Sequence, residues 1–490
     1  MKKILFTHSY FLRFDPKQFS QMQPYPPLGT LYAAAVMRRE GYEVSLFDPM
    51  FSGSPREIIP RLEKEKPDFL VIYDDGFNYL TKMCLTNMRE AAFDMTAYAK
   101  QKGCTVIINS SDSTDHYEKY LDHKADFIVT GEGEITLKEL IGKISAGNTD
   151  LESTDGIIYR QGNRTVVNRR RVVLGELDTL PPPAWDLVDT TAYQNRWLHR
   201  SGYFSLNVST TRGCPFKCNW CAKPIYGNRY NVHSPQRVVE ELRMLKEKFS
   251  ASHFWVTDDI FGLKPGWINT FSEIIQREKL EVKFKIQSRV DLLLQEQNIS
   301  SLAKAGCETV WVGAESGSQK ILDAMDKGTT VEQIHEATRL LKKHGIRAAF
   351  FLQFGYPGET REDIQQTIDM VMELMPDDIG VSVSYPLPGT KFYDRVKDEL
   401  TAKANWTDSD ELAMMFRNQF PSGFYKELQR YLHKRFRSRQ GMMALKNLLK
   451  NPASISTKSI VQLGKAPFHY AGSYFHAAKM RQLAAKESSQ

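Results

Sequence analysis

Three cysteines stand close together in the segment Thr211-Arg212-Gly213-Cys214-Pro215-Phe216-Lys217-Cys218-Asn219-Trp220-Cys221. Thiolates are metal ligands, and three at this spacing can hold three irons of a four-iron, four-sulfide cluster. No fourth cysteine lies nearby, so one iron stays open to a ligand from outside, as chemistry at the metal requires. The competing reading is a zinc site that adds His233 to the same thiolates. Closed zinc sites pair their ligands in Cys-x-x-Cys and His-x-x-x-His knuckles, whereas here the spacing is Cys-x-x-x-Cys-x-x-Cys. The iron–sulfur reading is preferred. Cys84, Cys104 and Cys307 stand alone in apolar surroundings and read as buried packing residues.

Elements must bring these thiolates to a substrate. Strands are expected near 205–210, 253–257, 282–287, 309–313, 347–354 and 379–384, separated by amphipathic stretches such as Val238 to Phe249. Six strand–helix units suit an incomplete parallel barrel whose active site lies at the carboxyl ends of the strands. The cysteine loop directly follows the first strand and so belongs to that mouth. Later strand ends carry Thr257-Asp258-Asp259, Ser288-Arg289, Glu315-Ser316 and Gly355. Each has a bland reading: the aspartates as helix caps, Arg289 as a partner of Asp291, Gly355 as a turn residue. Their shared position favours a site.

Upstream, residues 1–145 alternate short apolar runs with helical patterns, which implies a parallel sheet wound on both faces by helices. The strands are Ile4–Thr7, Val44–Phe47, Phe69–Tyr73, Thr105–Ile108 and Phe127–Thr130. Leu31, Ala34, Ala35 and Met37 mark one apolar face of a helix between the first two. Ligands of such sheets bind beyond the carboxyl ends of the strands, which places Pro26-Pro27-Leu28-Gly29 and Gly131-Glu132-Gly133-Glu134 on the binding edge. Residues 146–198 read as a connector containing a hairpin, 199–400 as the catalytic domain, and 401–490 as a basic helical extension.

Composition narrows the class further. With 41% hydrophobic and 25% charged residues, the 490-residue chain is a folded multidomain protein. No apolar run reaches membrane-spanning length, and His8 and Arg13 break any signal-peptide pattern. Clustered cysteines point to the reducing cytoplasm and away from a disulfide framework. The net charge of +7 is lopsided: residues 425–490 carry a balance of +11, leaving about −4 for the rest. There Lys434, Arg435, Arg437 and Arg439 interleave with Phe424, Tyr425, Leu428, Tyr431, Leu432 and Phe436. A helix packed on the barrel is the preferred reading, and an interfacial helix on anionic lipid is the second. Nucleic-acid binding is not expected. Tyr385, Phe392 and Met414–Met415 read as core more readily than as pocket lining.

The cysteine segment resembles, residue for residue, the Cys-x-x-x-Cys-x-aromatic-Cys signature of the radical S-adenosylmethionine (radical SAM) superfamily, with Trp220 in the aromatic place. The resemblance implies that Cys214, Cys218 and Cys221 hold a 4Fe-4S cluster whose open iron takes the amino and carboxylate groups of SAM. It further implies that one electron, from a donor such as flavodoxin or ferredoxin, cleaves SAM to a deoxyadenosyl radical that abstracts hydrogen from substrate. Carried over by position, Trp220, Asp258, Asp259, Ser288, Arg289, Glu315, Ser316 and Gly355 are its SAM contacts.

Residues 1–145 resemble the cobalamin-binding domain of the class that includes cobalamin-dependent methylases and the anaerobic Mg-protoporphyrin monomethyl ester cyclase. Pro27, Leu28, Gly29, Ser110, Gly131, Glu132 and Gly133 are the implied cobalamin contacts. The Asp-x-His-x-x-Gly motif for a cobalt-ligating histidine is absent, and Asn109-Ser110-Ser111-Asp112 stands where relatives usually have a Gly-Gly pair. A domain retained as scaffold or lid is the alternative. The implied reaction is methylation of an unactivated carbon on a small-molecule or lipid-like substrate. A cyclase-like or other oxidative rearrangement is the alternative enzyme, and a cluster carrier the non-enzymatic one.

Overall fold

The computed structural model describes residues 1–78, 81, 83, 85–221, 225–400, 405–450 and 456–487. Its first sheet contains β1 (Lys3–Thr7), β2 (Glu43–Leu46), β3 (Phe69–Tyr73), β4 (Thr105–Asn109), β5 (Phe127–Val129), β6 (Ile157–Gln161) and β7 (Arg164–Val167), in the order β2-β1-β3-β4-β5-β6-β7. All five residues of β3 are buried, as a continuous apolar run demands of a central parallel strand covered on both faces. The hairpin read as part of a connector is instead the antiparallel edge of this sheet, pairing Ile157, Ile158 and Tyr159 with Val129, Ile128 and Phe127. Those three apolar side chains are buried only there, which is why the hairpin docks and the sheet is mixed.

The Leu28–Arg39 helix also differs from expectation. Instead of one apolar face, every residue from Leu28 to Met37 is buried, because the helix is covered by more than its own sheet. The Ala184 amide donates to Leu31 O at 3.1 Å, so the segment leading to the second domain lies across it.

The second sheet is an open half-barrel of six parallel strands, β8 (Ser205–Val208), β11 (His253–Val256), β12 (Lys283–Ser288), β13 (Cys307–Glu315), β14 (Arg347–Phe354) and β15 (Asp378–Val383). Their order is β15-β14-β13-β12-β11-β8, with no pairing between the two outer strands. Between β8 and β11 a short antiparallel pair, β9 (Thr211–Arg212) with β10 (Asn231–Val232), pinches the base of the cysteine loop.

Beyond residue 420 the chain forms a helical hairpin, Ser422–Lys450 and Thr457–Glu487. Phe424, Tyr425, Leu428, Leu432 and Phe436 are buried, so the aromatic face of the first helix serves the core. No helix among the described residues is long and apolar enough to cross a membrane. One apolar cluster runs from Ile4 through the half-barrel to Phe436.

Candidate functional site

Cys214, Cys218 and Cys221 are half-buried thiols outside any disulfide, on the loop at the carboxyl end of β8. Gly213 has φ +79°, and a Cβ there would lie 2.1 Å from Arg229 O, so only glycine lets the loop leave β9. Asn219 anchors the far side: its side-chain amide donates to Ala324 O at 2.7 Å and its carbonyl accepts from the Tyr356 hydroxyl at 2.8 Å. Trp220 packs against the small core of Ile321, Met325, Tyr356, Phe392, Val396 and Phe416 beneath the loop. His233 does not approach these thiols as a zinc ligand would. Its Nδ1 is bonded to Asp178 at 2.8 Å, and burial lowers its pKa to about 4. Cys104 and Cys307 are buried packing residues, and burial pushes both thiols up. Cys84 lies outside the described residues.

The strand-end residues converge on this loop in different ways. Asp258 is 1% exposed and accepts from the Thr210 and Thr211 amides at 2.7 and 2.9 Å, fixing the turn that launches the loop. Burial raises its pKa to about 7 against those hydrogen bonds. Asp259 beside it is exposed, and Ser288 ends β12. The Arg289 guanidinium lies 3.8 Å from the Phe216 ring and, through Nη1, 3.8 Å from the Cys218 sulfur, while Nε donates to Asp291 at 3.0 Å. Arg289 thus touches the loop itself, a contact that sequence position alone did not reveal.

Glu315 has φ +59°, at the point where the β13–β14 register shifts. A non-glycine residue held there stores on the order of 1–3 kcal/mol. Its carboxylate pairs with Lys327 at 2.7 Å. Burial pulls Lys327 down, but Glu315 and the nearby Cys218 sulfur outweigh it and hold the ammonium above its ordinary value. Ser316 is fully buried against Thr367, a packing role. Gly355, at φ +74°, is covered by Met414 and Asn418 of the C-terminal extension and held by Glu359, whose carboxylate accepts its amide at 2.6 Å. Burial takes Glu359 to about 8.

The barrel interior was not read from the sequence. Alternation along β12 buries Phe284 and Ile286 against the helices and turns Lys285 and Gln287 inward. The Lys285 ammonium lies 5.0 Å from the Trp255 ring and 5.3 Å from Tyr25, and burial lowers it to about 8. Trp311 and Phe351 stack at 4.7 Å on the neighbouring strands.

Across from the cysteine loop lies the carboxyl edge of the first sheet. Arg212, 2% exposed, pairs with Glu132 and, at 2.8 Å, with Glu134. Its guanidinium carbon is 5.1, 5.4 and 5.2 Å from the rings of Tyr32, Phe77 and Tyr226. The residue two before Cys214 is therefore locked into the Gly131–Glu134 turn. The charge-dense Gly-Glu-Gly-Glu motif was legible, but its cation was not, because only the fold brings Arg212 there.

Other residues on this edge have packing partners. The Gly29 amide donates to Asp75 at 3.0 Å, and a Cβ on Gly133 would meet the Tyr73 ring at 2.9 Å. Ser110 caps a short helix, Gly131 has φ +67°, and Pro27 and Leu28 begin the buried helix.

Residues 208–371 match the family model of the radical SAM superfamily. The chain is 29% identical over 388 residues to an uncharacterized methyltransferase of Pyrococcus horikoshii, covering 78% of this chain and 81% of that protein. It is 25% identical over 374 residues to the anaerobic magnesium-protoporphyrin IX monomethyl ester cyclase of Synechocystis sp., covering 75% and 72% respectively. The fold is that of TsrM from Kitasatospora setae, a radical SAM methyltransferase solved with cobalamin and a [4Fe-4S] cluster bound. That match has a TM-score of 0.67 at 19% identity, over 81% of this chain and 75% of that one.

Proposed function

We propose that this chain, which carries a radical SAM domain and so is an enzyme using a 4Fe-4S cluster and SAM, methylates an unactivated carbon with cobalamin as a further cofactor. The observation that carries this reading is Arg212. It ties the cysteine loop to the carboxyl edge of the first sheet, so that a group on that edge and a group on the loop would face one chamber.

The donor chemistry of the residues present suits both groups, while among the described residues the three thiols share one loop and are not drawn together as a closed metal site. The three thiols are half-buried, with the cations of Arg289 and Lys327 close by to offset the charge of a thiolate cluster. At the edge, the side-chain oxygen of Asn109 is buried without a hydrogen-bond partner among the described residues, an acceptor that a corrin amide would satisfy. Pro27, Leu28, Gly29, Ser110, Gly131, Glu132 and Gly133 would form the surrounding contacts. His8 is held through both ring nitrogens, by Asp48 at 3.0 Å and by the Tyr10 amide at 3.3 Å, so its ring is not presented to a cobalt ion.

With all three bound, these groups would supply one-electron cleavage of the SAM carbon–sulfur bond and a methyl group for transfer. The chain's own residues do the rest. Asp258 and Gly213 shape the loop, Ser316 packs behind the β13 end against Thr367, and Trp220, Asp259, Ser288, Arg289, Glu315 and Gly355 form the SAM site. Lys285, Trp311 and Phe351 line the interior that receives substrate. An external reductant is required, and flavodoxin or ferredoxin fits that role in the cytoplasm. The C-terminal hairpin makes a peripheral contact with membrane, where a hydrophobic substrate would be met.

Incubating the reconstituted enzyme anaerobically with a reductant, candidate substrates and SAM carrying a deuterated methyl group should give a product that has gained that methyl, only when cobalamin is supplied. A rearranged or cyclised product with no label defeats methyl transfer and favours the cyclase-like alternative.

Glu315→Gln should weaken SAM binding by roughly tenfold, the worth of a charged hydrogen bond, while iron content stays at the wild-type value. Arg289→Ala is the poorer probe, because loss of its contacts to Phe216 and Cys218 disturbs the loop too. Unchanged SAM affinity in Glu315→Gln would remove this residue from the site.

A further inference from the structure

The Arg361–Leu374 helix and the C-terminal hairpin enclose a groove of about 790 Å³, within the range of ligand sites. Four guanidinium groups line it, those of Arg361, Arg435, Arg439 and Arg481, and no carboxylate does. Arg435 donates to the Tyr431 hydroxyl at 2.5 Å, and the other three have no hydrogen-bond or ion-pair partner among the described residues. Like charges gathered without a counter-ion repel one another, and a phosphate offsets that cost because its oxygens match the guanidinium fork. Beside them stand the polar Gln365, Ser438 and Ser473 and an apolar wall of Ile364, Ile368, Met372, Met442 and Met480. A fully hydrated anion has no use for such a wall, whereas an amphiphile does.

A second observation points to the source of that amphiphile. Val461, Phe468 and Phe475 are 48%, 68% and 57% exposed and recur every seven residues, which places them on one line of the Thr457–Glu487 helix. Lys434 Nζ lies 3.9 Å from the Phe468 ring and Lys479 Nζ 4.5 Å from the Phe475 ring. Scattered exposed apolar residues mean little, but a line of them capped by cations, in a segment of charge +11, has the make-up of an interfacial helix.

We propose that this groove binds the phosphate headgroup and upper chain of an anionic phospholipid, while the Val461–Phe468–Phe475 line enters the bilayer surface. The inference rests on the peripheral membrane contact proposed above and names what that contact recognises.

Flotation of the full-length reconstituted enzyme with phosphatidylcholine vesicles, with and without phosphatidylglycerol, tests it. Binding is expected only with phosphatidylglycerol. Each cation near an anionic surface contributes about fivefold, so Arg439→Gln with Arg481→Gln should weaken it on the order of 20-fold. Phe468→Ser with Phe475→Ser should abolish it, with circular dichroism and cluster absorption unchanged in both variants. Wild-type affinity in the arginine variant overturns the headgroup site while leaving the membrane contact standing. Tight binding of inorganic phosphate alone, with no added affinity for phosphatidylglycerol vesicles, overturns it in favour of a soluble anion. A wild-type enzyme that ignores both kinds of vesicle, or that binds only an acidic protein such as flavodoxin, removes the membrane contact itself.

Discussion

Replacing Cys214, Cys218 and Cys221 together by alanine is expected to empty the protein of iron and to abolish SAM cleavage completely. Anaerobically reconstituted wild-type protein should hold about four irons and four sulfides per chain, and the triple variant close to none of either. The fold should survive. The thiols are half-buried on a loop shaped by Gly213, Asp258 and Asn219, none of which depends on sulfur, and the core beneath the loop is built from Ile321, Met325, Tyr356 and Phe392. Thermal unfolding of the cluster-free wild type and of the variant should therefore agree. Stoichiometric zinc without sulfide in anaerobically purified wild-type protein would overturn the assignment of these thiols to iron.

Arg212→Met is expected to have the largest effect on stability of any single substitution near the site. Removing one partner of a buried ion pair costs about 3–5 kcal/mol, because the remaining charge stays desolvated. Methionine retains much of the arginine's bulk, so the packing among Tyr32, Phe77 and Tyr226 is largely kept. The pH dependence identifies the cause. In the wild type burial already raises the Glu132 carboxyl, with Arg212 opposing. Without the arginine its folded pKa rises further above the unfolded value of about 4.3. A raised folded pKa means that the folded state holds the extra proton, so stability is lost as pH climbs through that value. The melting temperature of the variant should approach that of the wild type near about pH 5 and fall well below it near about pH 8. An equal deficit at both values would point to lost packing and away from an orphaned carboxylate.

The parts of this protein legible from sequence are those that local chemistry fixes. Runs such as Phe69–Tyr73 have no stable place except a buried strand, and the spacing of Cys214, Cys218 and Cys221 has few uses other than an open cluster. Two features were hidden for one shared reason, that their partners are distant in the chain. The Ile157–Tyr159 strand found an edge some thirty residues upstream. Arg212 found its carboxylates eighty residues away. The aromatic residues from Phe424 to Phe436, by contrast, were legible as the packed side of a helix with its cations in water, and they are buried as that reading expects. Lys285 was missed differently: a lysine in an alternating strand reads as solvent-facing until the strand is known to line a half-barrel.

A single apolar cluster passes without a break from Ile4 in the first sheet, through the half-barrel, to Phe436 in the C-terminal hairpin. Prying the sheets apart would wet much of that shared interior, so wide hinge opening is an expensive route for loading cofactors or releasing product. Traffic must use the unjoined side between β8 and β15 and the loops over the mouth. The same continuity makes the chain poor material for dissection: a fragment ending near residue 145 would carry half of an interior built to be shared, and would meet water with the side that belongs against the barrel.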